Sequence, residues 1–306
     1  VYLLARLQPV LSGDPLWPGL LSAVGLMTVL TGAVMAVTQT DLKRLLAYAT
    51  VAALGTMVLL TGIGTEKALA ALPVYILGHA LYKAALFLVA GLVDMRTKTR
   101  DIRELGGLWR NMPVTAAAAL LAGLSFAGLP PALGYLAKEL TYKAGWAASW
   151  STGITAGLLL AKVLLFVVAF QVAVRPLLGA ATGRTAAVKE GPGFMLLGPA
   201  LLALSGMALG LAGEAWARPL LAPAAGAVAG TAPDLDLSLW HGFVAPFWLS
   251  VATVGLGVLA LRCLPLLNRL REALAGPARF GPERGYEGWL EGTLQLGHWQ
   301  TAVIQN

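Results

Sequence analysis

Seven stretches of about twenty or more mostly apolar residues govern what this chain can fold into. They run over about 18–38, 42–62, 68–93, 113–146, 152–174, 193–213 and 240–261. A helix that crosses a bilayer needs about 20 such residues. Apolar residues make up 58% of the 306 and charged residues only 12%, against roughly 25% in soluble domains. That leaves too little polar surface for a soluble protein. The sequence therefore predicts an all-α integral membrane protein, a bundle of about seven transmembrane helices.

The loops test this count. Lys43 and Arg44 follow the first stretch, Arg96 to Arg110 the third, Arg175, Arg184 and Lys189 the fifth, and Arg262 to Arg284 the seventh. The loops between are poor in basic residues. Basic loops after every odd span form the positive-inside pattern and place those loops in the cytoplasm. The net charge of +7 is thereby accounted for without nucleic acid. Cys263 is the only cysteine, which excludes an internal disulfide and thiol metal clusters. The stretch before Pro9 reads as the tail of an earlier span. The opening Val1-Tyr2-Leu3-Leu4-Ala5 and the stop at Asn306 without a polar tail read as a chain cut at both ends.

The fourth stretch is abnormal. It is too long for one straight crossing and is interrupted by Gly128-Leu129-Pro130-Pro131-Ala132-Leu133-Gly134. Pro130 and Pro131 remove two backbone donors and clash with the preceding turn. Two half-helices with a short extended link are expected. Such backbone survives at membrane depth only when buried in protein or lining a wet cavity, and broken helices often mark ion sites. After Arg262 the pattern changes again. Tyr286, Trp289, Leu290, Leu294, Trp299 and Val303 recur at mostly helical spacing among polar residues, which suggests an amphipathic helix lying along an interface. The chain thus divides into a transmembrane part, 1–262, and an amphipathic part, 263–306.

Five ionisable residues stand out within the apolar stretches: His79, Lys83, Lys138, Glu139 and Lys162. A charge in hydrocarbon costs at least a few kcal/mol, so such residues usually face a protein interior and serve transport. His79 and Lys83 are four apart and share a helix face. Imidazole exchanges protons near neutral pH, and low dielectric makes a lysine ready to give up its proton. The plainer reading is a polar pair that fastens helices. Snorkelling does not suffice, since Lys83 lies about ten residues, roughly 15 Å, from its span end.

Lys138 and Glu139 follow the break directly. Adjacent residues point to different faces, and Lys143 is placed to pair with Glu139. Tyr135 and Tyr142 flank Lys138 at i−3 and i+4. The alternative is that 135–146 is a helix end leaving the membrane, as Trp146 and Trp150 suggest. Nothing local neutralises Lys162, so its partner belongs to another helix, in an ion pair or on a proton path. Glu66, Lys67 and Asp94 read as solvated, and Asp41 as a helix N-cap. His241 and His298 are not expected to form sites. No phosphate loop, His/Cys metal spacing or nucleophile elbow appears.

The tracts Thr40-Asp41-Leu42-Lys43-Arg44-Leu45-Leu46-Ala47-Tyr48-Ala49-Thr50, Gly78-His79-Ala80-Leu81-Tyr82-Lys83-Ala84-Ala85-Leu86-Phe87-Leu88, and Gly128-Leu129-Pro130-Pro131 with Lys138-Glu139 resemble the proton-translocating antiporter-like family. It comprises subunits of Mrp-type multisubunit Na⁺/H⁺ antiporters and the large antiporter-like subunits of respiratory complex I. Asp101-Ile102-Arg103-Glu104-Leu105-Gly106-Gly107-Leu108 and the tail Tyr286…Asn306 look most like the MrpA-type branch of the Mrp systems. The resemblance implies two bundles of five helices, of which the later is present, and a hydrophilic axis to which His79 and Lys83 belong, with Lys138 on the broken helix ending the proton path. Lys162, read from its place within an apolar span, is a continuation of that row. Tyr75 stands where complex I relatives often carry a second His. Tyr75, Tyr82, Tyr135 and Tyr142 are the supporting residues. The implied activity is cation/proton exchange in the bacterial cell membrane, without a cofactor, beside other membrane subunits and with Na⁺ or another monovalent cation. No residue set suggests a cage of hard oxygen ligands for that cation. The alternative is a proton-pumping subunit of complex I. A scaffold whose charges only lock helices together is a third reading.

Overall fold

The computed structural model describes residues 1–274, apart from 15, 149, 181, 182, 184, 232 and 233, together with 288, 289 and 291–295; side chains are described as far as residue 264 and again at 288, 289 and 291–295. Among the described residues the regular elements are helices, joined by loops, with one isolated β-bridge, Asp41 to Asp101. The chain separates into Val1–Leu261 and Arg262–Asn306. Most of the predicted amphipathic segment, including Tyr286, Leu290, His298, Trp299 and Val303, lies outside the described residues; 288–289 and 291–295 are helical.

The first unit runs α1 (Tyr2–Leu11), α2 (Leu16–Thr38), α3 (Leu42–Ile63), α4 (Glu66–Thr97), α5 (Leu108–Asn111), α6 (Pro113–Ala127), α7 (Leu133–Trp146), α8 (Ser151–Ala173), α9 (Arg175–Leu178), α10 (Gly193–Leu211), α11 (Arg218–Ala229) and the start of α12 (Ala245–Leu274). Among the described residues six helical segments are long and apolar enough to cross a membrane, and the protein is a multi-pass membrane protein. The predicted fourth span is α6 and α7. Each half, of 15 and 14 residues, is about 22 Å long and falls short of a 30 Å hydrocarbon layer. The seventh begins five residues later than expected, leaving His241 in the preceding loop.

Two elements were not foreseen. A π-helical turn, Gly213–Ala217, leads into α11. Pro219 and Pro223 give that segment the look of a loop, yet Pro219 stands in the first turn of α11, where proline removes only a donor that has no partner anyway, and α11 continues through Pro223. Near the N-terminus, α1 continues past Pro9 to Leu11.

Local signals set the ends. Asp41 caps α3, its carboxylate accepting from the amides of Lys43 and Arg44, both at 2.9 Å. Thr65 caps α4 through Ala68 N–H. The α2–α3 hairpin closes through small residues: a Cβ on Gly25 would lie 2.5 Å from Leu59 N, and one on Gly32 2.6 Å from Ala52 N. Small residues are how membrane helices gain contact when lipid offers no hydrophobic drive for association. Three apolar clusters result. The largest gathers Leu45, Leu46, Leu86, Val89, Phe126 and Val168; a second gathers Leu60, Leu72, Tyr75, Leu133, Leu136 and Leu237; a smaller third gathers Leu59, Tyr142, Ile154 and Leu158. The break between α6 and α7 lies between the first two, with Phe126 in one and Leu133 in the other.

At the basic-loop face, Arg100 and Ile102 bond to the α2–α3 turn through Leu42 N–H→Arg100 O and Ile102 N–H→Thr40 O, both 2.9 Å. Lys43 pairs with Asp94 at 2.7 Å, Arg100 with Asp41 at 3.2 Å and Arg103 with Asp101 at 2.5 Å. Asp94 is thus paired with Lys43 while its side chain stays 31% exposed.

Candidate functional site

The α4 face carries Tyr75, His79, Tyr82 and Lys83. His79 Nδ1 lies 3.1 Å from the Tyr82 hydroxyl, and its ring stacks on Tyr75 at 6.5 Å. Lys83, 4% exposed, donates from Nζ to the Leu46 carbonyl of α3 at 2.9 Å. The same Nζ sits 4.5 Å above the Phe126 ring. Thr50 Oγ also donates to the Leu46 carbonyl, at 2.9 Å. A backbone oxygen and a π-face therefore receive this lysine, with no carboxylate within ion-pair distance among the described residues.

The break positions Lys138. Gly128 takes the left-handed conformation at φ 67° and ends α6, and Leu129 N–H reaches back to Leu124 O at 3.0 Å. Only glycine suits this place, for the Lys138 stem lies across it; a Cβ on Gly128 would fall 2.8 Å from Lys138 Cδ. Gly134 N–H donates to Ser125 Oγ at 3.3 Å, tying the start of α7 to the end of α6. Lys138 is 4% exposed and faces a cavity shared with Lys162, Tyr75, Tyr82 and the last turn of α6. The cavity offers about 20 Å³ to water centres, enough for a water molecule. The carbonyl end of α6 is the negative end of its dipole and favours a cation there.

Lys162 donates to the Tyr75 hydroxyl at 3.1 Å and sits 4.5 Å from the centre of that ring. Its partner is on another helix, as expected, and is a hydroxyl rather than an acid.

Glu139 and Tyr142 turn away from the cavity. Glu139 Oε1 accepts from Ser250 Oγ at 2.7 Å, and the Tyr142 hydroxyl meets Thr253 Oγ at 2.6 Å. The expected Glu139–Lys143 pair does not form; Lys143 lines an open cleft with Glu66, Asp234 and Asp236. Tyr142 is on the α12 side of α7, and Tyr135 stays by Lys138, its ring centre 5.5 Å from Nζ. Burial of Lys138 and Glu139, the latter 2% exposed, rules out the reading of 135–146 as a solvated helix end; only its tip, Trp146, is well exposed. His241 pairs with Asp236 at 2.9 Å in a loop, apart from the row. Sequence reasoning missed Phe126, the Leu46 carbonyl, Ser250 and Thr253. Phe126 carried a faint signal, two residues before the breaking Gly128. The others carried none, since their roles depend on neighbours 37 and 111 residues away. Among the described residues no three His, Cys, Asp or Glu side chains converge on a metal position.

Residues 1–164 match the family described as NADH:quinone oxidoreductase/Mrp antiporter, TM. The chain belongs to this family. It is 34% identical over 289 residues to the A/B subunit of a probable K(+)/H(+) antiporter of Rhizobium meliloti, covering 92% of this chain and 28% of that protein. It is 33% identical over 290 residues to the A-subunit of the Na(+)/H(+) antiporter of Alkalihalophilus pseudofirmus, covering 85% of this chain and 36% of that one. A chain in the structure of the Mrp complex from Dietzia sp. DQ12-45-1b superposes over all of this chain, with a TM-score of 0.77 at 31% identity, and 36% of that chain is covered. The chain therefore spans about a third of the length of these antiporter relatives.

Proposed function

We propose that this chain is a proton-translocating part of a multisubunit monovalent cation/proton antiporter, a component of a secondary transporter rather than an enzyme. Lys83, Lys138 and Lys162 carry the reading. All three are buried in one bundle, and each is met by a carbonyl, a hydroxyl or a ring. No carboxylate lies within ion-pair distance of their ammonium groups among the described residues. A lysine locked in a buried ion pair holds its proton, because removing it would strand a charge. A lysine on neutral partners releases it at far lower cost.

The path runs from Lys83 past His79 and Tyr82 to Tyr75 and Lys162, then across the small cavity to Lys138. Tyrosine hydroxyls and water relay the proton by hopping, each holding the excess charge only transiently. Each protonation alters the field at the next lysine, since unit charges at low dielectric interact strongly over several ångströms. Exchange then couples inward proton flow to expulsion of Na⁺ or another monovalent cation, whose site belongs to another membrane component of the complex. Residues 1–262 act as the later half of an antiporter-like transmembrane domain, and 263–306 as its interfacial segment. The protein resides in the bacterial cell membrane with its basic loops in the cytoplasm, as the charge alternation supports. Proton pumping driven by a redox partner is the weaker alternative, because both curated relatives described above are named as antiporter components and match most of this chain.

Lys138→Ala in the complete antiporter, assayed for proton/cation exchange in membrane vesicles, tests the proposal. Exchange is expected to fall at least about tenfold, the equivalent of about 1.4 kcal/mol in barrier height, with assembly unchanged. Normal exchange by a normally assembled complex would overturn the role of Lys138.

A further inference from the structure

The α10 helix packs on α4, α6 and α7. Its buried residues, Pro199, Ala203, Gly206 and Gly210, recur every three or four positions and so form one face. Small residues on such a face let membrane helices bring their backbones together. Gly206 and Gly210, one turn apart, differ in what they meet. A Cβ on Gly206 would lie 3.9 Å from Leu81 Cβ and 3.9 Å from Ser125 Oγ, which is ordinary contact. A Cβ on Gly210 would overlap the Pro131 carbonyl oxygen, the Ala132 carbonyl carbon and the Leu133 nitrogen. Gly210 is thus pressed backbone to backbone on the link between α6 and α7. Irregular backbone at membrane depth has to be buried in protein or line a wet cavity, and at Pro131–Leu133 the cover is α10.

The same link carries Lys138. Leu133 opens α7 and Lys138 follows in its second turn, about 7.5 Å along the helix axis. At the other end of the link the Lys138 stem lies across Gly128, where a Cβ would fall 2.8 Å from Cδ. A Cβ on Gly134 would overlap the Ser125 carbonyl oxygen, and the Gly134 N–H donates to Ser125 Oγ at 3.3 Å. The link is therefore held between α6 and α10, and α7 leaves it as a regular helix. Packed backbone has no rotamer with which to yield, so added bulk moves it as a unit. A shift of the link carries Lys138 with it, relative to the cavity that this lysine shares with Lys162.

We infer that Gly210 is a positioning residue for proton transfer at Lys138: its lack of a side chain lets α10 seat the α6–α7 link where the lysine meets the shared cavity. The inference rests on the transport reading above and adds α10 to the machinery.

The test compares Gly210→Ala with Gly206→Ala in the complete antiporter, in membrane vesicles, with rates normalised to assembled complex. The driven cation is Na⁺ or K⁺, whichever the wild-type complex moves. Alanine suits a helix interior better than glycine at both positions, so helix propensity does not distinguish the two variants. The maximal rate of Gly210→Ala is expected to fall at least about tenfold, since a displacement of about 1 Å at a reacting group costs up to about a hundredfold. The half-saturating cation concentration should stay within about twofold, as befits a residue that acts on the transfer step and not on cation binding. Gly206→Ala should keep both quantities near those of wild type. A merely structural role would lower the amount of assembled complex and leave the rate per complex alone. Equal rates per complex in the two variants, or a changed half-saturation with an unchanged maximal rate, overturn the inference. If Gly210→Ala does not assemble, Ser125→Ala takes its place, because it adds no bulk and frees the start of α7 from α6. Its maximal rate is expected to fall a few-fold at the same half-saturation; a wild-type rate would show that the link does not set the lysine, and overturns the inference. These outcomes leave the transport reading standing. Lys138→Ala with normal exchange overturns the transport role of Lys138, and this inference with it.

Discussion

Lysine and arginine meet two opposite surroundings in this molecule. At the basic-loop face each described cation of the clasp has a carboxylate: Lys43 has Asp94, Arg100 has Asp41 and Arg103 has Asp101. In the bundle interior Lys83, Lys138 and Lys162 have a carbonyl, a ring, a water-sized cavity and a hydroxyl. The clasp is the half-exposed place, where pairing is worth least because water screens it. The interior is where a pair would bind hardest. Carboxylates are therefore found where they join α3 to α4 and the α2–α3 turn to the 98–104 loop, and are kept off the lysines where they would trap a proton. Even Glu139, next in sequence to Lys138, is turned to α12.

Four substitutions break or sharpen this contrast. The largest effect is expected from giving the interior what the clasp has. Tyr75→Glu puts an acid beside Lys162, and the pair should hold its proton, so exchange falls more than about tenfold. Tyr75→Phe, which removes only the hydroxyl acceptor, should cost a few-fold at most. Vesicle exchange rates normalised to assembled complex measure both; equal rates for Tyr75→Glu and wild type would show that pairing does not matter in the row.

The converse removes a pair from the clasp. Asp94→Asn should leave exchange per assembled complex within about twofold of wild type. It should lower stability by less than about 1 kcal/mol, because the side chains of Lys43 and Asp94 are 39% and 31% exposed and screened. Thermal unfolding in detergent reads the second quantity. A collapse of exchange in a stable variant would place the clasp in the transport path.

The smallest effect concerns pH. The hydrogen-bonded guanidinium of Arg103 holds the Asp101 carboxyl below the usual carboxylate range, against a lesser opposing effect of burial. A depressed carboxyl contributes stability that is present above its unfolded value near pH 4 and lost as pH falls through the folded value. In Arg103→Ala the acid-side decline in unfolding temperature should begin at higher pH than in wild type. Identical curves between pH 3 and 7 would show that this exposed pair is silent.

The spans were legible because hydrocarbon permits little else: long apolar runs, a proline pair and alternating loop charge are written along the chain, and α2, α3, α4, α8 and α10 lie within a few residues of where those signals put them. Asp41 was legible as a cap for the same reason, since a cap is local chemistry. The π-turn and α11 were not. Prolines mark loops in a sequence, while packing against α4 decides whether such a segment becomes a helix. His79, Lys83, Lys138 and Lys162 were visible as costly residues in apolar runs. Where Glu139 and Tyr142 point was not visible, and the expected Glu139–Lys143 pair gave way to Ser250.

The sequence by itself determined that this protein lives in a membrane, where one helix breaks and which ionisable groups stand inside apolar runs. Each of those follows from the cost of polar atoms in hydrocarbon, which every residue incurs by its own nature and its neighbours along the chain. Tertiary structure alone decided which partner each charge meets. The Leu46 carbonyl, the Tyr75 hydroxyl and the Ser250 hydroxyl come from helices 37, 87 and 111 residues away. The direction of a hydrogen bond depends on how those helices pack.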